Sequence, residues 1–355
     1  MKHWLTRALF ALYLLILLEF LGQVTMRIAT GGWPLADRGG LNAEIFERHP
    51  YLVGVPRPGA AVERNGAWAR INASGYRGAP VAEPSDSVLR VLALGGSTTF
   101  GVGLDDADTW PVRLQVALDS ALAAAPGRFR RSEVINGGVP GYTSAENLIQ
   151  LELLGVYLKP DVVVLFQGLN DIRNGHSPGL RTDYANFHAV SQEGNLAVDR
   201  LRWGNRSGLV RLGRGVLTRL FALPTPHVVP AERRGDPDPQ AEAIFYSNLM
   251  SFAAVCRVHG VPCLFVPQVV SVDFPVDQWW MLYLIPDSLP ATMARYNNVM
   301  RSAAEATGMV FATGITEFAW TKDDFRDYCH FSALGDRRFA SLLVPQVLAG
   351  AGQPR

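Results

Sequence analysis

The sequence predicts a three-layer α/β/α sandwich around a parallel, flavodoxin-like sheet of about five strands. Two observations carry this expectation. After residue 87, apolar runs of strand length alternate five times with amphipathic stretches of helical length. The first three of those runs each stop at a glycine-bearing loop, as a chain does when it leaves a strand to climb into a covering helix.

The elements follow in order. Lys2, His3 and Arg7 precede an apolar stretch, and residues 4–24 approach the roughly 20 needed to cross a bilayer as a helix. No clean A-x-A cleavage site follows, so residues 1–27 are expected to be a signal anchor with its N-terminus cytoplasmic and the rest of the chain outside. Secretion after signal cleavage is the alternative. Glu19 is a cost within the span, tolerable near the outer interface or against a partner helix. Residues 28–86, rich in Gly, Pro and Arg, read as a connector packing on the domain that spans 87–350. Within that domain, residues 88–94 (VLRVLAL) form a buried strand, 110–125 a helix and 133–135 a short strand. Residues 144–158 form a helix and 161–166 (DVVVLF) the clearest buried strand. Then come a helix at 240–259, a strand at 262–266, a helix at 290–307, a strand at 309–312 and a last helix at 333–348. Two insertions interrupt this alternation, at about 173–239 and 269–289, too long for ordinary α/β loops. The first holds Leu201-Arg202-Trp203 and, at 207–220, Arg211, Arg214 and Arg219 among leucines; it reads as a solvated lid helix or as an interfacial one. The second holds Phe274, Trp279, Trp280 and Tyr283, aromatics suited to lining a site or packing a lid.

Composition excludes several functions. The chain has 355 residues, 48% apolar and 18% charged, with a net charge of +1, enough to bury a core but lacking the basic excess of a general nucleic-acid binder. Cys256, Cys263 and Cys329 are too few for a disulfide framework and contain no C-x-x-C pair, which argues against a zinc ribbon or a thiol-redox motif. No His or Cys pair has metal-ligand spacing, so no metal site is expected.

In open α/β sheets ligands bind beyond the carboxyl ends of the strands. The first strand runs into Gly95-Gly96-Ser97-Thr98-Thr99, which is neither a P-loop nor a G-x-S-x-G elbow. The second ends at Asn136-Gly137-Gly138-Val139-Pro140-Gly141 and the third at Gln167-Gly168-Leu169-Asn170-Asp171. After the last strand stands Asp327-Tyr328-Cys329-His330. Ser, Gly, Asn and Asp-x-x-His, in this order on different strand ends, resemble the four blocks of the SGNH (GDSL-type) hydrolase family. The resemblance covers roughly residues 87–348. Residues 49–52 and 71–78 also look like the lead-in of membrane-anchored bacterial members. Gly96 departs from the family pattern, standing where aspartate is usual.

The resemblance implies the SGNH hydrolase fold and a serine esterase that needs no cofactor. Ser97 is then the nucleophile, His330 the base, and Asp327 the group holding the imidazole in its working tautomer. The backbone N–H groups of Ser97 and Gly141 and the Asn170 side-chain amide would form the oxyanion hole. Asp171 is expected to have a structural hydrogen-bonding role, and Cys329 to be inert. The expected partners are an acyl-ester substrate, on a glycan or a lipid, and the membrane through the N-terminal helix; no nucleic acid is expected, and oligomeric state stays open. Short-chain esters of an envelope carbohydrate are the first substrate expectation. O-acyl transfer to a glycan, long-chain lipid or lysophospholipid hydrolysis, and an inactive anchored binding protein are the alternatives.

Overall fold

The computed structural model describes residues 2–30, 44–186 except 48, 65 and 126, 207–220, and 232–352 except 278 and 279. The chain divides into two compact units, one drawn from 1–44 and 192–229, the other from 45–191 and 230–355. Residues 207–220 of the predicted first insertion therefore group with the N-terminal helix and not with the sheet.

In the first unit, α1 (Lys2–Thr30) is one unbroken helix. Its stretch His3–Ile28 is long and apolar enough to cross a membrane, and Leu9, Phe10, Ile16 and Phe20 are exposed along it. A second helix of this unit, α6 (Gly208–Leu220), comes from the predicted first insertion.

The second unit opens with two small antiparallel sheets, β1 (Phe46–Glu47) with β2 (Val55–Pro56) and β3 (Ala61–Arg64) with β4 (Ala67–Arg70). Neither was legible in the residues expected to form a plain connector. The main sheet follows: β5 (Val88–Gly95), β6 (Arg131–Asn136), β7 (Val162–Phe166), β8 (Cys263–Val266) and β9 (Val310–Phe311). All neighbouring pairs are parallel, in the order β6-β5-β7-β8-β9. The first strand thus lies inside the sheet, and the chain winds one way from it and then the other. This is the flavodoxin-like order, with its switch point between β5 and β7.

Strand alternation decides what each face buries. Leu92, Leu94, Val163, Leu165 and Phe265 face a core completed by α7 (Ala241–Val258) and α8 (Leu289–Thr307). Val91, Ala93, Val162, Val164 and Phe166 face the opposite layer, where α3 (Trp110–Ala124) and α9 (Ala333–Ala351) contribute Trp110, Leu114, Phe339 and Leu343. Both faces are covered, which explains why these strands read as continuous apolar runs. Phe166 packs against Trp110, Phe331 and Phe339, and truncating it to alanine would cost about 3–5 kcal/mol.

Three local expectations are corrected. The helix predicted for 144–158 is regular only as α4 (Ser144–Gln150); a wide π turn at Leu151–Gly155 and a 3-10 turn at Val156–Leu158 follow. Gly155 lies so close to the sheet that a Cβ there would sit 2.7 Å from Leu92 Cδ2. Two short helices went unseen, α2 (Ser97–Phe100) and α5 (Leu169–His176), because each is too short to display a period. Cys256 and Cys263 are joined in a disulfide, since the turn between α7 and β8 brings their Cα atoms to 6.3 Å. Cys329 is a free, buried thiol.

Candidate active site

The predicted residues converge at the carboxyl ends of β5, β6 and β7, around the switch point. Ser97 heads the one-turn helix α2, so its N–H has no intrahelical acceptor. Its Oγ lies 2.8 Å from His330 Nε2, although 233 residues separate the two in sequence. His330 Nδ1 lies 2.8 Å from Asp327 Oδ2. With Nδ1 donating to the carboxylate, Nε2 is left as the acceptor for the Ser97 hydroxyl.

The Asp–His segment is a closed local turn. Phe325 and Phe331 bridge in antiparallel fashion, and Arg326 N donates to His330 O at 2.9 Å. Phe331 is buried and stacks against Trp320, Phe166 and Phe339, so the residue after the histidine is fixed in the core. Arg326 Nη1 donates to Val102 O, tying this turn to the segment after Ser97. Desolvation would raise the pKa of Asp327, yet the hydrogen bond and charge of His330, with the N–H groups of Cys329 and His330, hold it well below the usual carboxylate range. Asp327 therefore remains an anion facing the imidazole. Among the described residues, Asp327, Cys329 and His330 form a cluster with metal-ligand chemistry, but two of its members already bond each other. Burial, reinforced by Asp327, pushes the Cys329 thiol far above its ordinary pKa, which makes it a poor nucleophile or ligand.

The loops bearing Gly141 and Asn170 are built differently. Gly141 adopts φ +87°, a left-handed backbone that favours glycine, and a Cβ added there would lie 3.7 Å from the Trp280 ring. Asn170 is buried in the first turn of α5, and its Nδ2 donates to Tyr142 O at 2.8 Å. An amide nitrogen carries two protons, so one N–H remains for another acceptor. A fully buried carboxylate joins the two loops. Asp171 accepts from Ser144 N at 3.1 Å, Ser144 Oγ at 2.5 Å, Gln167 Nε2 at 2.8 Å and Tyr184 OH at 3.2 Å. Burial raises its pKa to about 6, against the pull of the Ser144 and Gln167 hydrogen bonds. Gln167 also donates to Tyr142 O, and Glu146 caps the Thr143 N–H at the start of α4.

Gly96 now has a physical explanation. A Cβ at this position would stand 2.6 Å from Asn170 Nδ2. With Asn170 placed as it is, a side chain at 96 would displace the amide that the family resemblance assigns to the oxyanion.

Sequence reasoning missed three contributors. Arg77 is buried and donates to Phe100 O and Gly101 O at 2.7 Å each, and to Asp106 at 2.8 Å, bracing the segment after Ser97. It stands in the 71–78 motif, whose resemblance to the family's lead-in assigns it no role. Gln268 accepts from Leu169 N at 2.6 Å and donates to Thr98 Oγ1 at 3.1 Å, linking α5 to α2; a lone glutamine after a strand gives no signal. Arg173 stacks beneath Trp280 at 3.8 Å and donates to its carbonyl. These two line a pocket of about 150 Å³ with Ser177, Pro178, Asn186 and Tyr283. Of the other predicted features, Phe274 packs on the core, while Trp279 and 201–203 lie outside the described residues.

This is an α/β enzyme that hydrolyses ester bonds, with its candidate serine at the switch point of a parallel sheet. The chain belongs to the GDSL-like lipase/acylhydrolase family, whose model matches residues 93–338. No curated protein matches it. Solved structures similar to it include a GDSL-like lipase from Bacteroides thetaiotaomicron, at 15% identity over 76% of this chain and 92% of that one, with a TM-score of 0.44. An acetyl xylan esterase is similar at 15% identity over 73% and 99% of the two chains, TM-score 0.42. A lipase/acylhydrolase from Enterococcus faecalis is similar at 16% over 73% and 95%, TM-score 0.42.

Proposed function

We infer that the protein is a membrane-anchored serine esterase working outside the cytoplasm on short acyl esters, acetyl first, of an envelope carbohydrate. The observation that carries the reading is the unbroken chain of 2.8 Å contacts from Ser97 through His330 to Asp327. In the first step Ser97 Oγ attacks the ester carbonyl carbon while its proton passes to His330 Nε2. The carbonyl oxygen becomes an anion, received by the N–H groups of Ser97 and Gly141 and the remaining N–H of Asn170. The C–O bond to the alcohol then breaks as the imidazolium returns its proton to the leaving oxygen, giving an acyl-serine and free alcohol. Water repeats the sequence: His330 takes its proton, the acid departs and Ser97 regains its hydrogen. Asp327, held as an anion, favours the imidazolium in both halves.

The pocket lined by Arg173, Trp280 and Tyr283 is small, about 150 Å³, which supports a short acyl group, because a long chain gains about 0.8 kcal/mol per methylene only where it can be buried. The apolar α1, with Lys2 and Arg7 before its span, supports an anchor with the enzyme outside, and so does the Cys256–Cys263 disulfide, a bond favoured in oxidising compartments. A p-nitrophenyl ester series from acetate to palmitate tests the substrate reading. The expected kcat/KM is highest at acetate; a steady rise toward palmitate would contradict it. Acyl release to water, and not to an added glycan, is the expected fate of the acyl-enzyme.

A further inference from the structure

Val139, Pro140, Gly141 and Tyr142 have the pattern of a type II β-turn. Proline stands second, glycine third with φ +87°, and Tyr142 N closes the turn on Val139 O at 3.1 Å. The Gly141 N–H belongs to the middle peptide of such a turn, which the closing hydrogen bond leaves out. Tyr142 is where this turn meets Asn170. Its carbonyl accepts from Asn170 Nδ2 at 2.8 Å and from Gln167 Nε2 at 3.0 Å, so both lone pairs of the oxygen are engaged. The Asn170 amide is planar, and holding one of its N–H groups fixes the direction of the other.

The Tyr142 side chain is held just as firmly. It is 1% exposed, and its hydroxyl donates to Gly54 O at 2.8 Å, 88 residues earlier in the chain. Burial, reinforced by the neighbouring Glu146, raises the pKa of the phenol well above its ordinary value, so the hydroxyl stays a donor. Gly54 is itself fixed. It precedes β2, which pairs with β1, and a Cβ on it would lie 3.2 Å from Glu47 O. Phe46 of β1 packs on the ring of Phe100, the last residue of α2, at 5.6 Å between ring centres. The β1–β2 clip therefore touches two sides of the site: α2, which Ser97 begins, and the turn that carries Gly141. We propose that Tyr142 is a positioning residue: hooked to Gly54 O, it aims the Gly141 N–H and the Asn170 amide at one point. The clip then serves catalytic alignment as well as packing. The proposal rests on the reading of Gly141 and Asn170 as oxyanion donors.

The test is a double-mutant cycle in the full-length chain, read as kcat and KM on p-nitrophenyl acetate. Tyr142→Phe keeps the ring and removes the bond to Gly54. We expect kcat to fall about 10-fold with KM changed by less than about twofold, a smaller loss than for Asn170→Ala because no donor is removed. In the Asn170→Ala background the same substitution should cost about threefold or less, since one of the two groups it aims is gone. Ser132→Ala removes buried hydrogen bonds near the start of β6, away from the site, and should lower thermal stability while leaving kcat unchanged. A loss of kcat in Ser132→Ala equal to that in Tyr142→Phe would reduce the effect to general loosening and overturn the proposal. A Tyr142→Phe kcat within about twofold of the unsubstituted protein, with Asn170→Ala severely impaired, overturns the proposal and leaves the oxyanion reading standing. An equal loss in both backgrounds overturns it too, because Tyr142 would then act without Asn170. An Asn170→Ala variant of unchanged kcat overturns the oxyanion reading and the proposal with it.

Discussion

The two limbs of the candidate site are built on opposite plans. The acid–base limb is local: Asp327 and His330 sit three residues apart in one turn, partly open to solvent, and the turn is fixed by an aromatic cluster behind Phe331. The proposed oxyanion limb is distributed. Gly141 and Asn170 come from different strand ends, and buried polar groups far apart in sequence (Asp171, Gln167, Gln268) hold their loops in register. A proton relay needs two atoms at bonding distance and tolerates water nearby. A hole for a transient anion needs several donors fixed in advance, which only a satisfied buried network provides.

The largest effect should come from the local limb. Asp327→Ala is expected to lower kcat by about 10⁴-fold, through loss of the imidazole tautomer and of the facing charge. Steady-state kinetics on p-nitrophenyl acetate would measure it, and a loss under tenfold would break the relay.

Next comes the distributed limb. Asn170→Ala should cost roughly 10²–10³ in kcat with a small change in KM, since the donor acts mainly in the transition state. A change confined to KM would make Asn170 a substrate-binding residue instead.

Gly96→Ala sharpens the comparison, because it perturbs the oxyanion limb without removing a donor. The added Cβ must push the Asn170 amide aside, and we expect kcat to fall by about 10-fold or more, within the bound set by losing that donor. If kcat is unchanged in Gly96→Ala while Asn170→Ala remains severely impaired, the amide does not work from the position seen here.

The smallest effect is on stability. Asp171 holds its proton up to about pH 6 in the folded chain, above the ordinary carboxylate range. Between that range and about 6 the folded state binds more protons than the unfolded one, so this group makes stability fall as pH rises, with no further change above. Relative to Asp171→Asn, the unsubstituted protein should lose stability across that window in denaturant titrations. A difference independent of pH would remove Asp171 from the account.

The same contrast governs what could be read in advance. The buried strands at 88–94 and 161–166 were legible because sheets covered on both faces need continuous apolar runs; Asp327 and His330 were reached through the resemblance, although their three-residue spacing is local. Ser97, Gly141 and Asn170 were reached only through the joint resemblance of four strand-end blocks; none has a period or a spacing of its own. Gln268 and Arg77 stayed silent because their partners lie far away in the chain, and a single polar residue does not announce its acceptor. The Cys256–Cys263 pair was missed for a related reason, since it depends on a turn that reverses the chain at Gly260.

The central claim is that Ser97 is made nucleophilic by His330, and labelling with a fluorophosphonate tests it most directly. Treating the full-length protein and mapping the adduct by peptide mass should give one modified residue, Ser97, with labelling lost in His330→Ala while that variant unfolds at an unchanged temperature. No adduct, an adduct elsewhere, or undiminished labelling of the folded His330→Ala variant would contradict the account.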